Sequence, residues 1–236
     1  MTSKFYRPNN VLEQRETSPA RVYTDGFLYE NLETILPKSS NREFKVLDIG
    51  CGSGYVRKIF YDLGYKIDYT GLDVKKHKHF DDGDRYAEQS KFITSPIEEY
   101  NTGEKFDFII SMFALEHIED DKLASKKMSQ MLGENGVQFH MVPSKFSFMV
   151  YFAHGYRRYN PRILSSMFAD ARIWRVCGLF SFMVHFVLIT FMKRALKTTI
   201  IYRSGLYPKI LKVANFLDKF LPIFPIAYIV IAKNSK

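Results

Sequence analysis

Cysteine is scarce in this chain. Only Cys51 and Cys177 occur in 236 residues, which is no disulfide framework, and a reducing cytoplasm is the compartment this points to. The first ten residues are polar and hold no signal-peptide core. No apolar run reaches the roughly 20 residues of a membrane-spanning helix; the strongest, 180–192, is shorter and contains His185. Internal repeats and low-complexity stretches are missing as well, which leaves one domain with additions. What is plentiful is core material, with 46% hydrophobic residues, and positive charge, with 34 Lys and Arg against 25 Asp and Glu for a net charge of +9. That balance favours anionic partners: nucleic acid, an acidic membrane surface or an anionic substrate.

The most informative stretch is Val46-Leu47-Asp48-Ile49-Gly50-Cys51-Gly52-Ser53-Gly54. An apolar run ends in an acid, and three glycines follow at alternate positions. This is how a buried parallel strand breaks into a tight loop ahead of a helix, here 55–63. Without a Cβ the backbone turns sharply and a ligand can approach it. A second strand over 67–72 ends in Asp73, where a βαβ unit sets an acid over a ribose. The spacing is G-x-G-x-G, and Tyr55 stands where a dinucleotide site would place its third glycine. No basic residue lies in the loop, which argues against a phosphate.

Further strands are expected at 45–49, 91–94, 106–112 and 137–142, with helices at 23–36 and 119–132. Strands alternating with helices at this period predict a parallel sheet covered on both faces. The Lys75, Lys76, His77, Lys78 and His79 cluster reads as a solvated surface turn, and no metal site is expected. From Ser144 onward the chain becomes aromatic, basic and apolar. A helix is expected over 161–169 with Asn160 as its cap, a strand over 172–179, the apolar segment 180–192, an amphipathic helix over 207–221 and a last strand over 226–232.

The glycine-loop string, with Gly71-Leu72-Asp73-Val74 behind it, resembles the S-adenosylmethionine (SAM) motif of class I, Rossmann-like methyltransferases. Residues 106–118, with Leu115-Glu116-His117-Ile118, look like the segment after the fourth strand of small-molecule and lipid methyltransferases of that family. DNA and protein methylases often carry an N/D-P-P-Y/F stretch there, and this chain does not, so nucleic acid is disfavoured as a substrate. The resemblance covers 45–143 well and the rest only in general layout. It implies an α/β fold: a doubly wound, mainly parallel seven-stranded sheet, helices on both faces, an antiparallel edge strand and a helical apolar C-terminal addition. The implied organisation is an N-terminal segment (1–37), a SAM-binding core (38–143) and an acceptor-side region (144–236).

The resemblance also implies the site. Asp48, Gly50, Cys51, Gly52 and Gly54 would hold the methionine end, Asp73 the ribose hydroxyls, and Val74 and Ile97 the two faces of the adenine. Met112, Phe113 and Ala114 would line the donor pocket, and Glu116 and His117 would face the acceptor. The acid that often binds the adenine amino group is replaced by Ser95, with Glu98 further along. Cys51 reads as a small filler. His117 either holds its loop or serves as general base, since a hydroxyl acceptor needs one and His titrates in the useful range. The expected activity is SAM-dependent methyl transfer, releasing S-adenosylhomocysteine, to a small or lipid-linked acceptor, an O-methylation in envelope glycan or lipid metabolism. Two other readings stand beside it: a non-catalytic module that docks a membrane or protein partner, and a nucleic-acid methylase. Segment 180–192 reads as a membrane span, a buried or substrate-covering helix, or an interfacial helix. Its basic flanks suit an anionic membrane surface and a peripheral location on the inner face.

Overall fold

The computed structural model describes residues 3–11, 17–38, 42–150, 155–195, 197–198 and 205–233. The strands are β1 (Lys4–Tyr6), β2 (Glu43–Ile49), β3 (Lys66–Asp73), β4 (Gln89–Thr94), β5 (Phe106–Met112), β6 (Leu132–Pro143), β7 (Arg172–Val176) and β8 (Ala227–Lys233). The helices are α1 (Pro19–Ile35), α2 (Val56–Asp62), α3 (Asp121–Met131), α4 (Pro161–Met167), α5 (Leu179–Val184) and α6 (Leu206–Asp218). One sheet forms in the order β1-β7-β8-β6-β5-β2-β3-β4. All pairings are parallel except those of β8, which runs antiparallel between β6 and β7.

The sheet therefore has eight strands rather than seven. The addition is β1, whose three residues pair in parallel with Trp174, Arg175 and Val176. The polar N-terminal segment hid it. Tyr6 anchors it from the side, with its ring 4.7 Å from Phe27 and its hydroxyl donating to Glu30 at 2.9 Å. The expected antiparallel strand is present as β8, flanked on its outer side by β7 and β1.

Strand alternation builds a core on each face. Val46, Phe108 and Ile110 join one cluster with Phe27 of α1, Phe60 of α2 and Leu211 of α6. Leu47, Ile49 and Ile109 join the other with Ala124 and Met128 of α3 and Leu164 of α4. Asp120 and Asn160 cap α3 and α4, Asp120 accepting from Leu123 N–H and Asn160 from the N–H groups of Arg162 and Ile163.

The apolar segment 180–192 is helical. α5 continues in π-helical turns over His185–Ala195. Its N-terminus is capped from another helix: the buried Asp218 accepts from the N–H groups of Gly178, Phe180 and Ser181 at 2.9, 2.8 and 3.2 Å. Ser181, Phe182, His185 and Leu188 face inward. Among the described residues no helix is long and apolar enough to cross a membrane. The Lys75–His79 cluster is exposed turn, with His79 Nδ1 2.9 Å from Asp82.

Candidate active site

The C-terminal ends of β2, β3 and β5 meet along one edge of the sheet. Gly50 and Cys51 donate back to Leu72 O at 2.8 and 3.3 Å, folding the loop over β3. Gly50 has φ +66°, and a Cβ there would lie 2.5 Å from Cβ of Ala114. Gly52 has φ +52°, and a Cβ there would meet no protein atom within 4 Å. One glycine thus allows two chain segments to touch, and the other borders open space. Gly52 N–H donates to Asp73 Oδ2 at 3.0 Å, which ties loop and acid together.

A cavity of about 590 Å³ opens beside this loop, within the ~300–1,000 Å³ typical of small-molecule sites. Gly50, Asp73, Val74, Ser95, Ile97 and Phe113 all border it, as does His117 on the turn after β5. Ser95 Oγ donates to Pro96 O at 3.0 Å and keeps its lone pairs for an incoming donor. Glu98, set too far along by sequence spacing alone, also borders the cavity. Pro96 is the reason: its carbonyl accepts from both Glu99 and Tyr100 at 3.1 Å and turns the chain back.

Five expected donor residues, Asp48, Cys51, Gly52, Gly54 and Met112, lie under or beside the cavity instead of on its wall. Asp48 is buried, and Tyr69 Oη donates to its Oδ2 at 2.6 Å. Burial raises its carboxyl to about 7, against the Tyr69 bond and the Arg21 charge, which both lower it. Cys51 is buried below the loop, and burial raises its thiol well above the ordinary range; that suits the filler role. Gly54 (φ +63°) starts the turn into α2, where an added Cβ would strike the Arg57 guanidinium. Met112, expected on the pocket wall, is corrected: it is buried in the core cluster on one face of the sheet, because β5 alternation turns it away from the cavity. Phe113 follows with φ +57°, an outlying conformation for so bulky a residue and one that clusters at ligand sites.

The paired expectation for Glu116 and His117 also splits. His117 borders the cavity, and burial, then the Arg158 charge, lower its pKa, so the ring is neutral at pH 7. Glu116 is buried, and neither carboxylate oxygen has a hydrogen-bond partner among the described residues. Burial raises it to about 7. His140 is a core residue: it is bonded to Ser111 at 2.8 Å and Gln138 at 3.1 Å, stacks on Phe168 and is pushed by burial down to about 3. His154 lies outside the described residues.

Two arginines escaped sequence reasoning. Arg57 is fully buried. It donates to Ser53 O at 3.2 Å, Gly54 O at 3.0 Å, Ser90 Oγ at 2.6 Å, Asp84 at 2.7 Å and also to Phe80 O. Its guanidinium lies over the rings of Phe80 and Tyr69 at 4.3 and 5.0 Å. It staples the glycine loop to the turn after β3. Arg21 of α1 reaches over Tyr55 and Phe113 at 5.3 and 5.8 Å, placing a cation by the loop that itself has none.

A family model described as a methyltransferase domain matches residues 20–196. The chain belongs to the methyltransferase-domain family. A ubiquinone biosynthesis O-methyltransferase of Pelagibacter ubique is 32% identical over 103 residues, covering 42% of this chain and 41% of that protein. The (S)-coclaurine N-methyltransferase of Papaver somniferum is 30% identical over 98 residues, covering 40% and 28%. The chain thus spans about two fifths or less of the length of these curated relatives. Coclaurine N-methyltransferase bound to N-methylheliamine and S-adenosylhomocysteine superimposes with TM-score 0.57 at 13% identity, covering 96% of this chain and 77% of that one. The cyclase SpnF superimposes with TM-score 0.60 at 15% identity over 98% and 87%. The fold is the Rossmann-like one of SAM-dependent methyltransferases, and at such identities the likeness shows the fold alone.

Proposed function

We propose that this protein transfers the methyl group of SAM to a hydroxyl of a small or lipid-linked acceptor, at the inner face of the membrane and within envelope glycan or lipid metabolism. The observation that carries this is the cavity itself. It runs from the acid at the end of β3 past Gly50 of the glycine loop to His117, and the space beside Gly52 is open as well. The residues present fit the donor. Asp73 already accepts from the loop through Oδ2 and offers its remaining lone pairs to the ribose hydroxyls. Val74 and Ile97 take the faces of the adenine, and Ser95 accepts from its amino group. The open space beside Gly52 and the Arg21 cation suit the methionine end, over the buried Asp48.

SAM supplies a methyl group on a sulfonium whose leaving group is a neutral thioether. The protein's part is to hold acceptor and donor in line and to take one proton. His117, whose pKa burial and then the Arg158 charge lower, takes the hydroxyl proton on a ring nitrogen as the O–C bond forms and the C–S bond breaks. The curated relatives with O-methyltransferase names favour oxygen as the acceptor atom.

The test uses SAM labelled in its methyl group, incubated with the protein and separately with lipid extract, nucleic acid and a protein fraction. Label in the lipid extract is expected. Label in nucleic acid alone would replace the acceptor class, and label in none of them would leave a binding module in place of an enzyme.

A further inference from the structure

The exposed apolar side chains of the C-terminal region gather on one edge of the sheet. β5, β6 and β7 run parallel, so they end at the same edge, and antiparallel β8 begins there. Three segments hang from that edge: the turn Lys145–Met149 after β6, α5 with its π-helical extension after β7, and the end of α6 leading to β8. They pack together, with Phe146 and Phe182 rings 5.2 and 6.0 Å from Phe224 and Thr190 Oγ1 donating to Val150 O at 3.0 Å. Their outer side presents Phe148, Met149, Phe186, Phe191, Phe216 and Phe220, each 41 to 63% exposed. Exposed apolar side chains gathered on one edge mark an interaction site.

The charge around the patch selects its partner. Residues 144–236 hold 15 of the 34 Lys and Arg but only 2 of the 25 Asp and Glu. One of those two, Asp218, is buried and occupied in capping α5. The positive excess of the whole chain therefore belongs to this region. On α6, Lys209, Lys212 and Lys219 alternate with Val213, Phe216 and Phe220 on the exposed side, and Lys219 Nζ lies 4.1 and 4.5 Å from the rings of Phe216 and Phe220. Apolar rings with cations between them match the level of lipid headgroups. A second copy would bring the same cations against one another, and duplex nucleic acid, met through its phosphates, would leave the apolar rings in water.

We infer that this edge is a docking surface for an anionic phospholipid bilayer, with Phe186, Phe191, Phe216 and Phe220 entering the acyl boundary and Lys212 and Lys219 meeting the headgroups. The donor cavity opens on the same edge, so an apolar acceptor can reach it from the bilayer, a clause that alone rests on the methyl-transfer reading.

Flotation of the full chain with vesicles of phosphatidylcholine, alone or mixed with phosphatidylglycerol, tests the surface. Binding only to the mixed vesicles is expected, weakening as salt is raised. Lys212→Gln with Lys219→Gln is expected to lower partitioning about 25-fold, roughly fivefold per cation. Phe186→Ser with Phe191→Ser is expected to lower it about tenfold or more, with melting temperature and SAM affinity held as checks that the fold persists. Absence of binding to anionic vesicles would overturn the inference. So would binding that neither pair of substitutions weakens, or a concentration-dependent dimer abolished by the phenylalanine pair. No SAM or acceptor is present in the assay, so its failure leaves the transfer reaction to stand or fall separately.

Discussion

Residues 42–143 and 144–233 contribute strands to the same sheet, yet their loops at its C-terminal edge are held in opposite ways. In the first region the edge is a network of short polar contacts. Asp48 is bonded to Tyr69, Gly52 to Asp73, and Arg57 to carbonyls on both sides of the loop. In the second region the capping carboxylate of Asp218, hydrogen bonds such as Thr190 to Val150 and a set of ring contacts hold segments whose outer side is apolar and basic. On the proposed reading, a donor that presents the same atoms every turnover would be met by fixed dipoles and charges, and an acceptor arriving through an apolar phase by surface whose energetics are non-directional. The comparison teaches that substitutions in the first region should act through geometry, and those in the second through partitioning.

The largest effect is expected at the junction. His117→Ala should lower turnover by about 10²–10⁴-fold, the usual range for a positioned general base, with SAM affinity unchanged. In the unaltered protein kcat/KM should rise with pH and level off below the ordinary histidine value, because burial and Arg158 lower this pKa. Steady-state kinetics across pH check both; retained turnover in the variant would make His117 structural.

Arg57→Met should be next. Removing the guanidinium leaves the carbonyls of Ser53, Gly54 and Phe80 without that donor in a buried site, and stability should fall by about 2–4 kcal/mol. Urea unfolding measures it. A loss below ~1 kcal/mol would show that the loop does not depend on the staple.

Asp73→Ala should weaken SAM binding by about 1.5–3 kcal/mol, the value of hydrogen bonds to a charged group, while vesicle binding stays the same. Affinity unchanged by calorimetry would remove the ribose assignment.

The smallest effect is a pH dependence. Burial holds Asp48 at about 7 in the folded protein against 3.8 for the free carboxyl. Between these values the folded chain keeps a proton that the unfolded chain releases. Stability from this group is full below the lower value and is lost as pH rises through the upper one. Asp48→Asn, whose amide oxygen can still accept from Tyr69, should cancel about 1–2 kcal/mol of the decline between pH ~5.5 and ~7. Unfolding midpoints of the two proteins across pH give the difference directly. Parallel curves would mean that Asp48 stays ionised.

What could be read in the sequence follows the same division. The strand, acid, glycine loop and second acid were legible because each is local: a few residues fix a turn whose chemistry is visible in their types. Asp73, Val74, Ser95, Ile97, Phe113 and His117 then arrive at one cavity because parallel strands bring their C-terminal ends together. Three kinds of feature were not legible. β1 is three residues long and exists through its partner Trp174–Val176, 170 positions away in register. Arg57 sits between Val56 and Lys58 with nothing in its spacing to mark it as buried. Asp218 caps a helix that begins 40 residues earlier, a contact no local pattern announces. Met112 was misplaced for a smaller reason. A strand alternates its faces, and the residue that turns toward the cavity is its neighbour Phe113, carried there by a left-handed backbone.

Calorimetric titration with SAM tests the central claim, that the edge formed by β2, β3 and β5 is a donor site, most directly. The account predicts one-to-one binding of SAM, displacement by S-adenosylhomocysteine and no heat with a nicotinamide dinucleotide. A folded protein that binds neither SAM nor S-adenosylhomocysteine, or that binds the dinucleotide in their place, would contradict it.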